Sequence, residues 1–303
     1  MTPPRKPRAV PPGATLGVAA PAFAVDAAPL EEGVEGLRAA GFRVRVGEGV
    51  LAREGYLAGD DARRAREFAA LLEDPAVDAI VCARGGYGCQ RILPRLDPEL
   101  VRRAAKPLLG YSDVTVLHLW QLRQAGLGGL HGPMLEHGAW SVEETDAVRA
   151  ALSGTAGEVV LAGAPAGGGR REGRLVGGSL KLVATSLGTP FEVDTEGAIL
   201  LLEDVAEKPY AIDRMLRQLE AAGKLATLVG VGVGYLRDCT DPKRAEPTAR
   251  AVLEEAIAPL GVPLVFDLPF GHDRPNLPWP VGALAALDGE RGELRVLESG
   301  VEA

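Results

Sequence analysis

The sequence predicts an α/β protein with an N-terminal parallel-sheet (Rossmann/flavodoxin-like) domain and a smaller mixed α+β, strand-rich C-terminal domain. Three observations predict it. Up to about residue 130, short apolar runs alternate with segments of helical periodicity, the pattern of β–α units feeding a parallel sheet with helices on both faces. Two glycine-marked loops, 84–88 and 110–113, each follow an apolar run, so both fall at carboxyl ends of strands, where open parallel sheets build sites. The character then changes between residues 141 and 171, where the run 162–169 (Ala-Gly-Ala-Pro-Ala-Gly-Gly-Gly) reads as flexible. We therefore expect an N-terminal domain at 13–150, a linker at 151–171 and a C-terminal domain at 172–303.

In chain order, residues 15–20 read as the first strand, stopped by Pro21. A helix follows with Leu30, Val34 and Leu37 on one face and Gly41 as its stop. Phe42, Val44 and Val46 alternate with arginines, a half-exposed strand. Residues 61–74 form a second helix with Ala65, Phe68, Ala69 and Leu72 inward, closed by Pro75. Residues 77–83 are a buried strand, and Leu108-Leu109 lead a fourth strand into helical periodicity from Val114 to about Leu127. In the second half, 198–202 is an apolar strand ending in Glu203-Asp204. A helix spans about 210–222 with Ile212, Met215, Leu216 and Leu219 inward. Strand 228–233, a helix at about 248–258 and strand 264–266 follow, and the end reads as a hairpin of 281–287 and 294–297 around a turn at 289–292.

Composition narrows the function. The 303 residues are 47% hydrophobic and 24% charged, ordinary for a soluble globular chain. A formal net charge of −8 argues against a nucleic-acid partner. The three cysteines, Cys82, Cys89 and Cys239, form no CxxC pair, so neither a disulfide framework nor a zinc site is expected. Cys82 reads as a small core residue. The first twelve residues are rich in Pro and Arg without an apolar stretch, so they read as a short disordered tail rather than a secretion signal. No segment reaches the length of a membrane span, and a cytoplasmic location is expected.

The candidate chemistry centres on Ser112 in Gly110-Tyr-Ser-Asp113. A serine between a buried strand and a helix is exposed at the strand end and lies beside unpaired helix N–H groups, the physics of a nucleophile elbow. The alternative is that Ser112 or Asp113 caps the helix. Glycines 85, 86 and 88 can bring backbone amides close to a substrate oxygen, or cradle a phosphate, although the spacing matches no nucleotide motif. A serine nucleophile also needs a base and an acid to orient it. Of the four histidines, His118 points along the helix away from the hydroxyl, while His131 and His137 flank a pocket-lining loop, Gly132-Pro-Met134. His272 lies in a polar loop after a strand. Glu203 emerges from a buried strand and needs a partner, either a cation such as Arg214 or Lys208 or a histidine.

Together these motifs resemble the L,D-carboxypeptidases of the murein tetrapeptide type, a family that includes the microcin C self-immunity peptidases. The resemblance is carried by Ala83-Arg-Gly-Gly-Tyr-Gly88, Gly110-Tyr-Ser-Asp113, His131-Gly-Pro-Met134, Gly177-Gly-Ser-Leu180, Leu187-Gly-Thr-Pro190, Leu202-Glu-Asp-Val205, Pro209-Tyr, Ile212-Asp-Arg-Met215 and Phe270-Gly-His272, in the family's order over about residues 14–288. It implies a triad of Ser112 as nucleophile, His272 as base and Glu203 as acid, with the amides of Gly86 and Asp113 as the oxyanion hole. It also implies a cleft between the two domains, no metal or other cofactor, and a homodimer. Arg84, Gly85, Tyr87 and Met134 are the expected substrate-binding residues, Arg84 by its position for a terminal carboxylate, the alternative for it being a structural salt bridge near the glycine loop. The implied substrate is a murein tetrapeptide that loses its terminal D-Ala. Two other readings stand beside it: a microcin-type peptidase for peptidyl-nucleotide conjugates, with Trp140 or Trp279 stacking the base, and a non-catalytic binding protein on the same fold. One departure is visible: Ser179 stands where the family often has Asn.

Overall fold

The computed structural model describes residues 3–155 and 159–302. Strands are β1 Thr15–Ala19, β2 Arg43–Val46, β3 Ala79–Cys82, β4 Leu108–Gly110, β5 Gly129–His131, β6 Val159–Ala162, β7 Ala164–Pro165, β8 Arg170–Ser179, β9 Ala198–Val205, β10 Gly230–Arg237, β11 Leu264–Phe266, β12 Trp279–Val281, β13 Leu284–Asp288 and β14 Glu293–Val296. Helices are α1 Ala27–Ala39, α2 Asp61–Glu73, α3 Cys89–Ile92, α4 Pro98–Ala104, α5 Thr115–Trp120, α6 Val142–Ser153, α7 Leu180–Thr185, α8 Pro209–Ala221 and α9 Ala249–Ile257. The chain divides into two units, one of Pro4–Ala156, Leu277–Pro280 and Ser299–Ala303, the other of Met1–Pro3, Gly157–Asn276 and Val281–Glu298.

The first unit carries a sheet ordered β12-β5-β4-β3-β1-β2. The pairs β1–β2, β1–β3, β3–β4 and β4–β5 are all parallel. The order 2-1-3-4-5 is the flavodoxin-like one, whose direction of winding reverses between β1 and β3. Leu16, Val18, Val81, Leu109 and Leu130 from the strands pack with Leu30, Val34 and Leu37 of α1 and Val148 and Leu152 of α6. Both faces of the sheet are covered, which is why β3 and β4 read as unbroken apolar runs. The helix expected from Val114 onward begins as a single 3₁₀ turn at Ser112–Val114, continues as α5, and ends in a π-helical turn at Gln121–Ala125.

The N-terminal tail corrects an expectation. Residues from Pro4 to Pro12 are paired rather than disordered: Arg5 N–H donates to Gly126, Ala9 N–H to Glu302 and Val10 N–H to Leu152. Val10 is buried, so the Pro-rich start is held by backbone bonds that its composition does not announce.

The second unit carries an eight-stranded sheet ordered β6-β14-β13-β8-β9-β10-β11-β7, with β8, β9, β10 and β11 parallel and the rest antiparallel. Its two terminal strands, β6 and β7, are consecutive in sequence with only Gly163 between them. The sheet therefore curls until one bent strand serves both ends. Gly163 N–H donates to Gly292 O at 2.7 Å. The stretch read as a flexible linker is thus the seam of this sheet, and residues 156–158 of that reading lie outside the described residues. Its glycines answer close backbone approach: a Cβ on Gly163 would collide with the carbonyl of Phe266, and one on Gly168 with that of Val262. The expected hairpin is β13–β14, and Val281 belongs instead to β12, which joins the first sheet.

Candidate active site

In the first unit, β4 ends at Gly110, Tyr111 is extended, and Ser112 turns sharply with φ +57°. A non-glycine residue in this left-handed region costs about 1–2 kcal/mol and persists where the surroundings enforce it. They do so here. Val114 N–H donates back to Tyr111 O at 3.1 Å, and the valine methyls lie 3.0 Å from where a Gly110 Cβ would be. The strand therefore passes into the helix with no room for a gentler turn. This is the geometry of a nucleophile elbow, with the hydroxyl at the amino end of the helical segment.

The glycine loop after β3 packs on this elbow. A Cβ on Gly85 would sit 2.9 Å from Ser112 Cβ, 3.0 Å from its Oγ and 3.3 Å from the Met134 methyl. Ser112, Gly85 and Met134 are thus brought together. Gly86 has φ +99°, and a Cβ there would strike the Phe23 ring from the loop after β1. Arg84 donates to Ala24 O at 2.9 Å and lies over the same ring. Tyr87 is exposed beside Tyr56, with ring centroids 6.0 Å apart. The buried carboxylate of Asp113 accepts from Cys89 N–H at 2.7 Å, and burial holds its pKa above the usual value. Arg64, which sequence reasoning passed over, also reaches this loop, donating to Gly88 O at 2.9 Å.

Of the three other histidines, all in this unit, two are buried. His118 is buried, its Nε2–H donates to Gly110 O at 3.0 Å, and burial lowers its pKa to about 4, so the ring is neutral. His131 is the buried end of β5, next to the Gly132–Met134 stretch, and stacks on Trp279 at 4.8 Å with rings 16° apart. That stack also takes Trp279, fully buried, out of contention as a base-stacking residue. Trp140 is half-buried and donates its indole N–H to Met134 O at 2.8 Å. His137 is exposed.

In the second unit, Glu203 is fully buried near the end of β9. Its Oε2 accepts from His272 Nδ1–H at 2.6 Å. Of the partners open to Glu203, the histidine is the one that meets it, while Arg214 lies over the Tyr210 ring. Gly271 makes the approach possible: its φ is +114°, and a Cβ there would be 2.9 Å from Glu203 Oε2. The loop is braced by Gly271 N–H donating to the buried Asn276 at 3.0 Å, and by Arg237 donating to His272 O at 2.9 Å. In the neutral ring, Nδ1 donating to the carboxylate makes Nε2 the nitrogen without a proton. The other oxygen, Oε1, is buried and accepts no hydrogen bond among the described residues. The neighbouring Asp204 accepts from Lys181 N–H and Val205 N–H, both at 2.9 Å. Burial first, and the charge of Glu203 second, raise its pKa to about 6. Ser179, the departure noted above, caps α7 and donates its hydroxyl to Asp204 at 3.5 Å.

Among the described residues, no cluster of three His, Cys, Asp or Glu side chains is arranged to hold a metal ion, and no helix is long and apolar enough to cross a membrane. The three cysteines are buried, and burial raises the thiols well above their ordinary range.

Comparison with known proteins sets the class of the chain, a serine-type carboxypeptidase. Residues 16–132 match the LD-carboxypeptidase N-terminal domain and residues 172–287 the LD-carboxypeptidase C-terminal domain. A probable murein peptide carboxypeptidase of Bacillus subtilis (strain 168) is 37% identical, over 98% of this chain and 95% of its own. The murein tetrapeptide carboxypeptidase of Pseudomonas aeruginosa is 33% identical, over 91% of this chain and 94% of its own. The structure of MccF, a microcin C7 self immunity protein, in complex with glutamyl sulfamoyl guanosine superposes with a TM-score of 0.91 over 99% of this chain and 100% of that one, at 22% identity. The chain belongs to the LD-carboxypeptidase family.

Proposed function

We propose that this enzyme removes the terminal D-Ala from a murein tetrapeptide by acyl transfer through Ser112, His272 and Glu203. The observation that carries the reading is the 2.6 Å contact of a fully buried carboxylate with Nδ1 of a loop histidine, which fixes the tautomer a general base needs. In this reading His272 Nε2 takes the Ser112 proton as Oγ attacks the amide carbonyl. Glu203 stabilises the imidazolium so formed. The Gly86 and Asp113 amides receive the oxyanion, His272 returns the proton to the leaving D-Ala nitrogen, and water then releases the acyl group. Arg84 meets the terminal carboxylate, and Gly85, Tyr87 and Met134 line the substrate's path. The names of the two relatives above support a murein peptide as substrate. Of the two stacking candidates for the peptidyl-nucleotide reading, Trp279 is buried against His131, which leaves it resting on the half-buried Trp140.

The test is release of free D-Ala from murein tetrapeptide by the wild-type chain, with Ser112→Ala as control. Release by wild type and loss of at least about 10³-fold in the folded variant are expected. A fully active Ser112→Ala enzyme overturns the nucleophile. A folded wild type that leaves the tetrapeptide intact but hydrolyses an aminoacyl sulfamoyl nucleoside overturns the substrate.

A further inference from the structure

Arg64 is a buried cation that the mechanism so far does not use. It lies in the first turn of α2, and its side chain has no solvent exposure. A guanidinium does not shed its charge on burial, so its N–H groups must find acceptors. Nε–H donates to Gly59 O at 3.2 Å, Nη1 donates to Gly88 O at 2.9 Å and also to Pro21 O, and Nη2 donates to Asp61. Pro21 follows β1 and Gly88 follows β3, so one side chain ties the loops on either side of the winding reversal.

The bond to Gly88 has a counterpart. The carbonyl of Gly88 and the N–H of Cys89 belong to one peptide group. The guanidinium of Arg64 holds its oxygen at 2.9 Å, and the carboxylate of Asp113 holds its nitrogen at 2.7 Å. A cation and an anion thus grip the two ends of one peptide dipole in a dry environment. Gly88 has φ +138°, and a Cβ there would lie 2.7 Å from Arg64 Nη1, so the loop accepts only glycine at this distance. The gripped peptide lies two residues beyond Gly86, and Asp113 directly follows Ser112.

We infer that Arg64 and the Asp113 carboxylate clamp the Gly88–Cys89 peptide and thereby set the Gly86 amide against the Ser112 elbow, which makes Arg64 a positioning residue for acyl transfer. The inference rests on the proposed reaction. Its logic is geometric: oxyanion donors act only at about 2.7–3.1 Å, and a displacement of about 1 Å costs about 10²-fold in rate. Lysine does not replace the arginine, since an ammonium lacks the planar fork that serves several carbonyls at once.

The test reads Ser112 phosphonylation by a fluorophosphonate, in which the serine oxygen displaces fluoride at phosphorus and its proton leaves with it, beside kcat and KM for D-Ala release. Arg64→Met is expected to slow both labelling and kcat by about 10²-fold, with KM within about threefold. Arg64→Lys is expected to recover little of the loss. Asp113→Ala is expected to match Arg64→Met, while Asp113→Asn, which keeps an acceptor for Cys89 N–H, retains at least about a tenth of the rate. A folded Arg64→Met with labelling within about threefold of wild type overturns the clamp, as does a loss confined to KM. Should Arg64→Met not fold, Asp113→Ala at the wild-type rate overturns it alone. Wild type that labels at Ser112 while the variants are unchanged refutes the clamp only, whereas wild type that does not label at Ser112 refutes the reaction and the clamp with it.

Discussion

Glu203→Gln separates a catalytic carboxylate from a structural one. The side chain is nearly isosteric, so the change removes a charge and leaves the shape. The proposed general base starts the reaction as the neutral imidazole, so at that point the variant loses only the charge-assisted part of one hydrogen bond. In the transition state of the proposed reaction the ring carries the Ser112 proton, and the carboxylate at 2.6 Å is then opposite a full positive charge. Taking the charge centres as about 4 Å apart and an effective dielectric of about 20, the attraction is roughly 4 kcal/mol. Because it exists only after proton transfer, its loss falls on kcat, by about three decades, and leaves KM within a few-fold. Stability moves little. The variant relieves the desolvation of a buried carboxylate whose Oε1 accepts no hydrogen bond among the described residues, while weakening the bond to His272. These effects oppose, and the apparent Tm is expected within about 5 °C of wild type. The assays are steady-state D-Ala release and a thermal melt. A kcat within about tenfold of wild type, or a loss carried mainly by KM, refutes the reasoning, and a melt lowered by more than about 10 °C assigns Glu203 to the fold instead.

Two further predictions concern stability. Asp204 has its pKa raised from 3.8 to about 6, so between those values the folded chain holds a proton that the unfolded chain has lost, and its contribution to stability falls as pH rises through that window. Asp204→Asn should therefore shift Tm more favourably at pH 8 than at pH 4, and an equal shift at both would refute the assignment. Gly163→Ala should destabilise the second unit by about 3 kcal/mol, read by denaturant titration, because the new Cβ meets the Phe266 carbonyl at the seam. An unchanged midpoint would show that the seam relaxes.

Much of the architecture was legible because it rests on periodicity. The alternation of apolar runs and amphipathic helices gives the first sheet, and Gly110-Tyr-Ser-Asp113 announces a turn at its carboxyl edge. What escaped has specific causes. Arg64 stands among Arg63 and Arg66, and nothing in that spacing says which of the three turns inward to meet carbonyls. The run 162–169 reads as flexible because glycine is permissive, yet here its missing Cβ serves close backbone approach. His131 does flank the Gly132–Met134 stretch, but β5 is only three residues long, too short to announce that the histidine ends a buried strand. The pairing of residues 4–12 and the placement of β12 are long-range, and local pattern carries no trace of either.

The position of β12 bears on how the chain is made. The first sheet takes its sixth strand from Trp279–Val281, after most of the second unit has been read from the message. Until then β5 is the last strand of a five-stranded sheet, with His131 lacking the Trp279 ring that covers it. At usual elongation rates that interval is on the order of ten seconds. The unit that carries Ser112 is therefore the first to begin and among the last to finish, and a chain truncated before Trp279 lacks the strand that covers the β5 edge.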